Sequence, residues 1–143
     1  MTVSVRITGS AELMRALQTA AAEVRDAASL AVMEAAAEGE ALVKLKMQQG
    51  PHTGAIYKRG QLLHQASAPG QPPAPDTGAL MGGVYHEREA ELTATFGSRM
   101  AYAAYLEFGT RHMAPRPVWV PVAEELQKVF PRRLEAAVSG AIK

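Results

Sequence analysis

The chain contains no cysteine, and this absence excludes several classes of protein. Without thiols it can form no disulfide scaffold, no thiol nucleophile and no cysteine-ligated zinc or iron–sulfur site. Neither GxxxxGK[ST] nor GxGxxG, the glycine-rich motifs of nucleotide binding, occurs. No run approaches the ~20 apolar residues of a membrane-spanning helix. The opening residues, MTVSVRIT, alternate polar and apolar types, which is not the pattern of a signal peptide. We therefore expect no membrane partner.

An excess of charge of one sign is also lacking. Fifteen Lys and Arg oppose fourteen Asp and Glu, a formal net charge of +1. Nucleic-acid binders usually carry clustered basic residues, because affinity depends on the number of phosphates neutralised. The densest basic pair, Arg132 and Arg133, is followed closely by Glu135 and is typical of a solvated helix face. A nucleic-acid-binding module stays an alternative, which a salt-dependent gel shift would support.

The length of 143 residues suits one domain, which we place at residues 1–143. Residues 2–8 alternate with Val3, Val5 and Ile7 on one face, which predicts a half-buried strand. Ser10 follows as a predicted helix N-cap.

A long alanine-rich helix is predicted from Ala11 to about Gln49, a stretch without proline. Gly39 is the expected break, since glycine costs about 1 kcal/mol inside a helix. Unbroken, the helix would extend about 58 Å, longer than a domain of this size is wide. Its small apolar stripe suits close packing against another helix. The partner helix could belong to the same chain, in a helical hairpin, or to another subunit.

Residues 50–76 form a Pro/Gly-rich arm with two short pieces, 55–59 and 62–67, that could be extended strands. Such a long irregular segment is either disordered or functional. We expect it to take little part in the core of the monomer and to become ordered by docking on neighbours. The residues that carry this docking are predicted to be apolar: Ile56, Tyr57, Leu62 and Leu63.

The remaining chain predicts a small antiparallel sheet and a C-terminal helix. Asp76 is expected to cap a short helical turn, and a β-hairpin follows at 84–97 with its turn near Glu89 and Ala90. Ser98 is the predicted cap of a helix that Gly109 ends. The last helix begins near Pro121, and Pro131 is expected to kink or restart it.

No residue constellation indicates catalysis. The four histidines are far apart in sequence. Alternating Glu87, Glu89 and Glu91 could imitate the acidic metal cluster of a nuclease, but a solvated strand face explains them more simply. A small hydrolase or nuclease remains an alternative, tested by metal-dependent turnover. Tyr102, Tyr105 and Phe108 recur at helical spacing and are interpreted as a core face. We expect no enzymatic activity, no metal and no cofactor.

The segment YAAYLEFGTRHMAPRPVWVPVAEE, residues 102–125, predicts a rigid corner. Glu107 ends a short helix and Arg116 lies between two prolines, so we expect them to form an ion pair. Gly109 is predicted to have positive φ as a left-handed cap, with Thr110 adding a side-chain hydrogen bond.

This segment resembles the signature Y-x-x-x-x-E-F-G-T … x-R-P-F-x-x-P-A of the HK97-type phage tail-component family. The stretch SAPGQPPAPDTGALMGGV, residues 67–84, resembles the second signature of that family, a Ser-x-Pro-Gly-x-x-Pro run followed by Asp-Thr-Gly-x-Leu. Both occur in the order of the family, separated by a predicted hairpin. Val118 and Trp119 depart from the pattern, which often has Phe and a small or branched residue there.

The resemblance implies an α+β fold and a structural role in the virion, at the head–tail junction of a long-tailed phage, after assembly in the host cytoplasm. Members act as neck or tail-completion proteins, so the expected partners are copies of the same chain, in a ring of six or else twelve, and neighbouring head-completion, adaptor and tail proteins. DNA would pass through the lumen without specific binding. A tail terminator that caps the tail tube is the alternative within this class. The expected structural or interface residues are Tyr57, Leu62, Leu63, Asp76, Thr77, Gly78, Leu80, Tyr105, Glu107, Phe108, Gly109, Thr110, Arg116 and Pro117.

Overall fold

The computed structural model describes residues 2–9 and 11–142 and has a mixed α+β fold, which confirms the predicted class. Its elements in chain order are β1 (Ser4–Thr8), α1 (Ala11–Gln18), α2 (Ala22–Gln49), β2 (Ile56–Arg59), β3 (Leu62–Gln65), α3 (Ala79–Gly82), β4 (Val84–Ala90), β5 (Thr93–Ser98), α4 (Ala103–Phe108) and α5 (Trp119–Ala141). Ser10, the predicted N-cap, lies outside the described residues.

An antiparallel sheet in the order β1-β5-β4 forms one layer. Val5 and His86 both pair with Phe96, so the three side chains lie on the same face of the sheet. Phe96 is completely buried on that face. The predicted turn at Glu89 and Ala90 is wrong by two residues. Strand β4 continues through Ala90 across an irregularity after Arg88, because Glu89 is held by bonds to neighbouring strands.

Helices α2 and α5 pack against each other and cover the sheet face that contains Phe96. Ala28 and Ala36 on α2 are fully buried, which lets the neighbouring elements approach closely. The alanine-rich stripe is therefore occupied within its own chain. The sequence left open whether the helix that packs on this stripe belongs to the same chain or to another subunit. In the structure it is α5 of the same chain.

The break in the alanine-rich region falls at Thr19–Ala21, and the predicted break at Gly39 is wrong. Near Thr19 the turn tightens, with the N–H of Thr19 bonded to the carbonyl of Ala16 and the Thr19 hydroxyl donating to the same oxygen at 3.0 Å. Gly39 instead lies buried within α2, where the Phe96 ring packs directly on its Cα. A Cβ there would lie 2.5 Å from that ring, so the glycine serves packing.

Three contacts between ionisable side chains tie α2 to its neighbours. Lys46 binds Glu125 of α5 at 2.7 Å. Glu40 contacts His86 of β4, and Glu38 contacts Arg133 of α5. Arg133, half of the densest basic pair, is therefore engaged within the chain.

The C-terminal elements differ in two places from the prediction. Helix α4 begins at Ala103, later than predicted, because residues 99–102 form turns in which Met100 N–H donates to the Ser98 hydroxyl at 3.1 Å. Helix α5 continues through Pro131 without restarting. Proline has no N–H to donate to the carbonyl one turn earlier in the helix. Because Pro131 is exposed, this missing hydrogen bond lies on the solvent side of α5.

Candidate assembly surface

The buried carboxylate of Glu107 is the anchor of the corner between α4 and α5. Glu107 is 3% exposed. It accepts hydrogen bonds from three consecutive backbone N–H groups at the start of α5: Val118 at 2.8 Å, Trp119 at 3.1 Å and Val120 at 2.7 Å. These groups have no partner within the helix, and the helix dipole favours negative charge at this end. One side chain therefore fixes where α5 begins.

The predicted ion pair between Glu107 and Arg116 is wrong. The Glu107 oxygens are taken up by the start of α5. Arg116 instead donates from Nε to the Ser67 carbonyl at 3.2 Å and from Nη1 to the Ala114 carbonyl at 3.4 Å. Its own N–H donates to the Leu106 carbonyl at 2.6 Å. Arg116 thus connects the corner to the arm.

Gly109 has φ of +76°, which confirms the predicted positive φ. Its ψ of 175° is extended, so it is not the left-handed cap that was predicted. A Cβ at this position would lie 2.8 Å from the Met113 carbonyl oxygen. Thr110 makes the predicted side-chain bond, accepting from His112 N–H at 3.2 Å. Pro117 is half-buried between Arg116 and the start of α5.

The base of the arm docks on this corner. Gly70 N–H donates to the Pro115 carbonyl at 2.9 Å, and Ser67 is 3% exposed. The Gln71 side chain binds Thr53 and Ala68 at 2.8–3.0 Å, closing the arm on itself. The expectation that the arm takes little part in the core of the monomer is therefore wrong for its base, which contacts the corner through Ser67 and Gly70. It holds only for the tip, residues 56–65.

The tip is the hairpin β2–β3, which confirms the two extended pieces predicted in the arm. Gly60, with φ of +62°, begins the two-residue turn. The apolar residues of this hairpin are strongly exposed: Ile56 at 63%, Tyr57 at 58%, and Leu62 and Leu63 at 74% each. A two-stranded hairpin is marginally stable alone in water, and exposed apolar patches of this kind commonly mark protein–protein contacts.

Asp76 holds the hairpin and does not cap α3 as predicted. Its carboxylate binds Arg59 at 2.7 Å and lies 3.8 Å from His64 Nδ1. The residue before α3 is Gly78, with φ of +83°, which carries no side-chain cap. Thr77 accepts a hydrogen bond from Ala79 N–H at 3.3 Å.

A groove of about 580 Å³ lies between the hairpin and the corner. It brings together six of the predicted residues: Tyr57, Asp76, Thr77, Gly78, Leu80 and Arg116. The other predicted residues do not line the groove. Glu107 is buried in the corner between α4 and α5. The rest are Leu62, Leu63, Tyr105, Phe108, Gly109, Thr110 and Pro117. The groove joins both segments that carry the family resemblance.

The aromatic face of α4 points to solvent, so its interpretation as core is wrong. Tyr102 is 41% exposed, Tyr105 56% and Phe108 62%. Ala103 and Ala104, which are small, form the buried side of this short helix instead. Its solvent side is a second unpartnered apolar surface.

The three alternating glutamates do not form a cluster of free carboxylates. Glu89 accepts from Arg6 Nε at 2.7 Å and from the Thr95 hydroxyl at 2.6 Å, on the open face of the sheet. The bond from Arg6 is the main reason that the pKa of Glu89 lies below its ordinary value. Within residues 2–9 and 11–142, no three His, Asp or Glu side chains are grouped as metal ligands would be.

Sequence reasoning missed the outward face of α2. Leu30 is 57% exposed and Leu45 43%. At 100° per residue, both leucines fall on the side of the helix opposite the buried alanines. This angular spacing could have identified the outward face from the sequence.

Across the described part of the chain, no helix has the length and apolar character required to cross a bilayer. Comparison with known proteins gave no matching family model, no matching curated protein and no matching solved structure.

Proposed function

We propose that the chain is a structural, non-enzymatic subunit of the head–tail junction of a long-tailed phage. Copies of it would form a closed ring that completes the neck or tail and connects the tail to the DNA-filled head. Its partners would be further copies of itself, head-completion or adaptor proteins, and tail proteins.

One observation carries this proposal: the two segments that resemble the family signatures form one structural unit. Residues 67–84 and 102–125 are separated by strands β4 and β5. They nonetheless meet through two hydrogen bonds: Gly70 N–H donates to the Pro115 carbonyl, and the Arg116 side chain donates from Nε to the Ser67 carbonyl. The groove is lined from both segments. The resemblance therefore falls on two parts of the chain that contact each other in three dimensions, which supports the proposal.

The distribution of exposed apolar side chains supports an assembly role. The hairpin tip and the face of α4 each expose large apolar residues, and exposed apolar patches of this kind commonly mark protein–protein contacts. The charged residues that line the groove already have partners, since Arg59 binds Asp76 and Arg116 binds backbone carbonyls. These contacts hold the hairpin and the corner in place around the groove.

The experiment removes the hairpin tip and follows particle assembly. Residues 56–65 are replaced by a short Gly/Ser linker in the gene that the phage uses. The base of the arm, from Ala66, is kept because Ser67 and Gly70 contact the corner. We expect a protein that still unfolds cooperatively, together with separate filled heads and finished tails in the lysate.

The matched control is Gln61→Ser, which changes an exposed polar residue of the same hairpin. It should assemble normally. Infectious particles made with the deletion variant would show that the hairpin is a passive loop. A salt-dependent gel shift with the purified wild-type protein would instead favour the nucleic-acid-binding alternative.

A further inference from the structure

Helix α2 has an apolar stripe on the side opposite the core. Leu30, Ala41 and Leu45 lie within a 60° sector of the helix at 100° per residue. The buried Ala28, Val32 and Gly39 lie on the other side. Glu34 falls within the outward sector, and it is exposed and makes no ion pair among the described residues. We call Leu30, Glu34, Ala41 and Leu45 the outer stripe.

The hairpin has a matching face. The register pairs Ile56 with Gln65 and Lys58 with Leu63, so these four side chains share one side. Tyr57, Arg59 and His64 line the groove on the other side. Lys58 is exposed and, like Glu34, makes no ion pair within the described residues. We call Ile56, Lys58 and Leu63 the outer hairpin face.

We propose that the outer hairpin face of one subunit packs on the outer stripe of a second copy of this chain. Ile56 and Leu63 would cover Leu30, and Lys58 would pair with Glu34 one helical turn away. This inference rests on the proposed function and names the contact that builds the ring.

Charge decides between the two apolar surfaces that could receive the hairpin. The face of α4 is flanked in sequence by the exposed cations Arg99, which stacks on Tyr85, and Arg111, and no exposed acid lies among residues 99–111 to attract Lys58. Along α2 the exposed acids Asp26 and Glu34 are available. The outer stripe is therefore the complementary surface, and the aromatic face of α4 is left for a different neighbour.

This contact joins two different surfaces, so each subunit can offer its hairpin to one neighbour and its stripe to another, which is a heterologous arrangement. Heterologous contacts repeat from subunit to subunit and give a closed ring when the rotation between neighbours closes. The same docking covers a hairpin that is marginally stable by itself. One contact thus accounts for the exposure of Ile56, Leu63 and Leu30 and for the unpaired charges of Lys58 and Glu34.

A charge-swap experiment on the full chain tests the pairing. Lys58→Glu and Glu34→Lys are made singly and together, with Lys128→Glu on the exposed face of α5 as the control. Association is measured by sedimentation velocity and native mass spectrometry over a concentration series. We expect each single reversal to weaken association about tenfold or more and the double variant to recover most of it. The control should behave as the wild type.

The absence of native cysteine allows a second, independent readout. Unlabelled Lys58→Cys protein is mixed with isotope-labelled Glu34→Cys protein and oxidised. The inference predicts mainly mixed-mass disulfide dimers, whereas Lys128→Cys protein in place of the Lys58 variant should give few.

The outcomes separate the two proposals. A ring that forms but ignores both charge reversals overturns this inference and leaves the proposed function standing. Wild-type protein that stays monomeric at every concentration, with no preference in cross-linking, also overturns the inference. A two-fold dimer as the assembled form in particles contradicts the proposed function itself.

Discussion

At the residue scale, Glu107 has the largest expected effect on stability. Its buried carboxylate is shared by three N–H groups that would otherwise be unsatisfied. Hydrogen bonds to charged groups contribute about 1.5–3 kcal/mol each. We predict that Glu107→Ala lowers the free energy of unfolding by about 3 kcal/mol. Urea denaturation measures this, with Glu107→Gln expected to lose less because its amide oxygen can still accept.

Glu124→Ala is the matched control for this prediction. It lies on the exposed side of α5 and should change stability by less than about 0.5 kcal/mol. Equal losses for Glu107→Ala and the control would show that the carboxylate does not hold the start of α5.

Gly109 tests the corner through backbone strain. Its φ of +76° is poorly tolerated by residues with a Cβ, and the nearby Met113 carbonyl leaves no room for one. We predict that Gly109→Val lowers the free energy of unfolding by about 2 kcal/mol or more. Gly140→Ala, in α5 with open space around it, should be neutral or stabilising in the same denaturation assay. A Gly109→Val protein as stable as the wild type would contradict the strain.

Glu89 gives a pH-dependent prediction. Its pKa is lowered in the folded protein, first by the bond from Arg6 and then by that from Thr95. The stabilisation is therefore complete above the ordinary carboxyl pKa of about 4.5 and is lost as the pH falls through the lower, folded-state value. The difference in urea midpoint between wild type and Glu89→Gln should shrink as the pH is lowered from 7 to 3. A constant difference would rule out this linkage.

Several residue roles were beyond what residue types could predict. The motif drew attention to Glu107, but the partners of its carboxylate are backbone N–H groups, which residue types do not identify. Asp76 and Arg116 likewise bind groups far away in the sequence, Arg59 and the Ser67 carbonyl. The positive φ of Gly109 was predictable because few other residues adopt it.

At the element scale, the contact between α2 and β5 depends on Gly39. The Phe96 ring occupies the space where a Cβ would be, at 2.5–2.7 Å. Overpacking of this kind costs about 1–3 kcal/mol. We predict that Gly39→Ala lowers stability by that amount and that Phe96→Leu in the same chain recovers part of the loss. A double-mutant cycle by urea denaturation measures the coupling, and strictly additive losses would contradict direct contact.

Local periodicity predicted the strands well. The alternation in residues 2–8 and 91–97 and the two short pieces of the arm correspond to β1, β5, β2 and β3. The helix break was missed because it depends on the Thr19 hydroxyl and on burying Leu17 with α5, where no glycine or proline marks the site. Gly39 was wrongly predicted to break the helix. Glycine is needed there because the Phe96 ring packs against it, and this tertiary contact outweighs the low helix propensity of glycine.

At the scale of the whole molecule, the described residues present three exposed apolar surfaces: the hairpin tip, the face of α4 and the outer stripe of α2. The hairpin tip and the face of α4 differ in shape and in neighbouring charge. The proposed assembly assigns the first to the next subunit and the second to a neighbouring component of the particle. Both assignments follow from exposure and charge on one chain, and neither could be drawn from composition, which is ordinary and nearly neutral.

The central claim is that copies of this chain form a ring at the junction of head and tail. A reconstruction of phage particles that contain the chain tests it most directly. The account predicts density for a ring of six, or else twelve, copies at the neck, with each hairpin tip on the next subunit. Particles without the chain at that junction, or with the chain present there as a two-fold dimer, would contradict it.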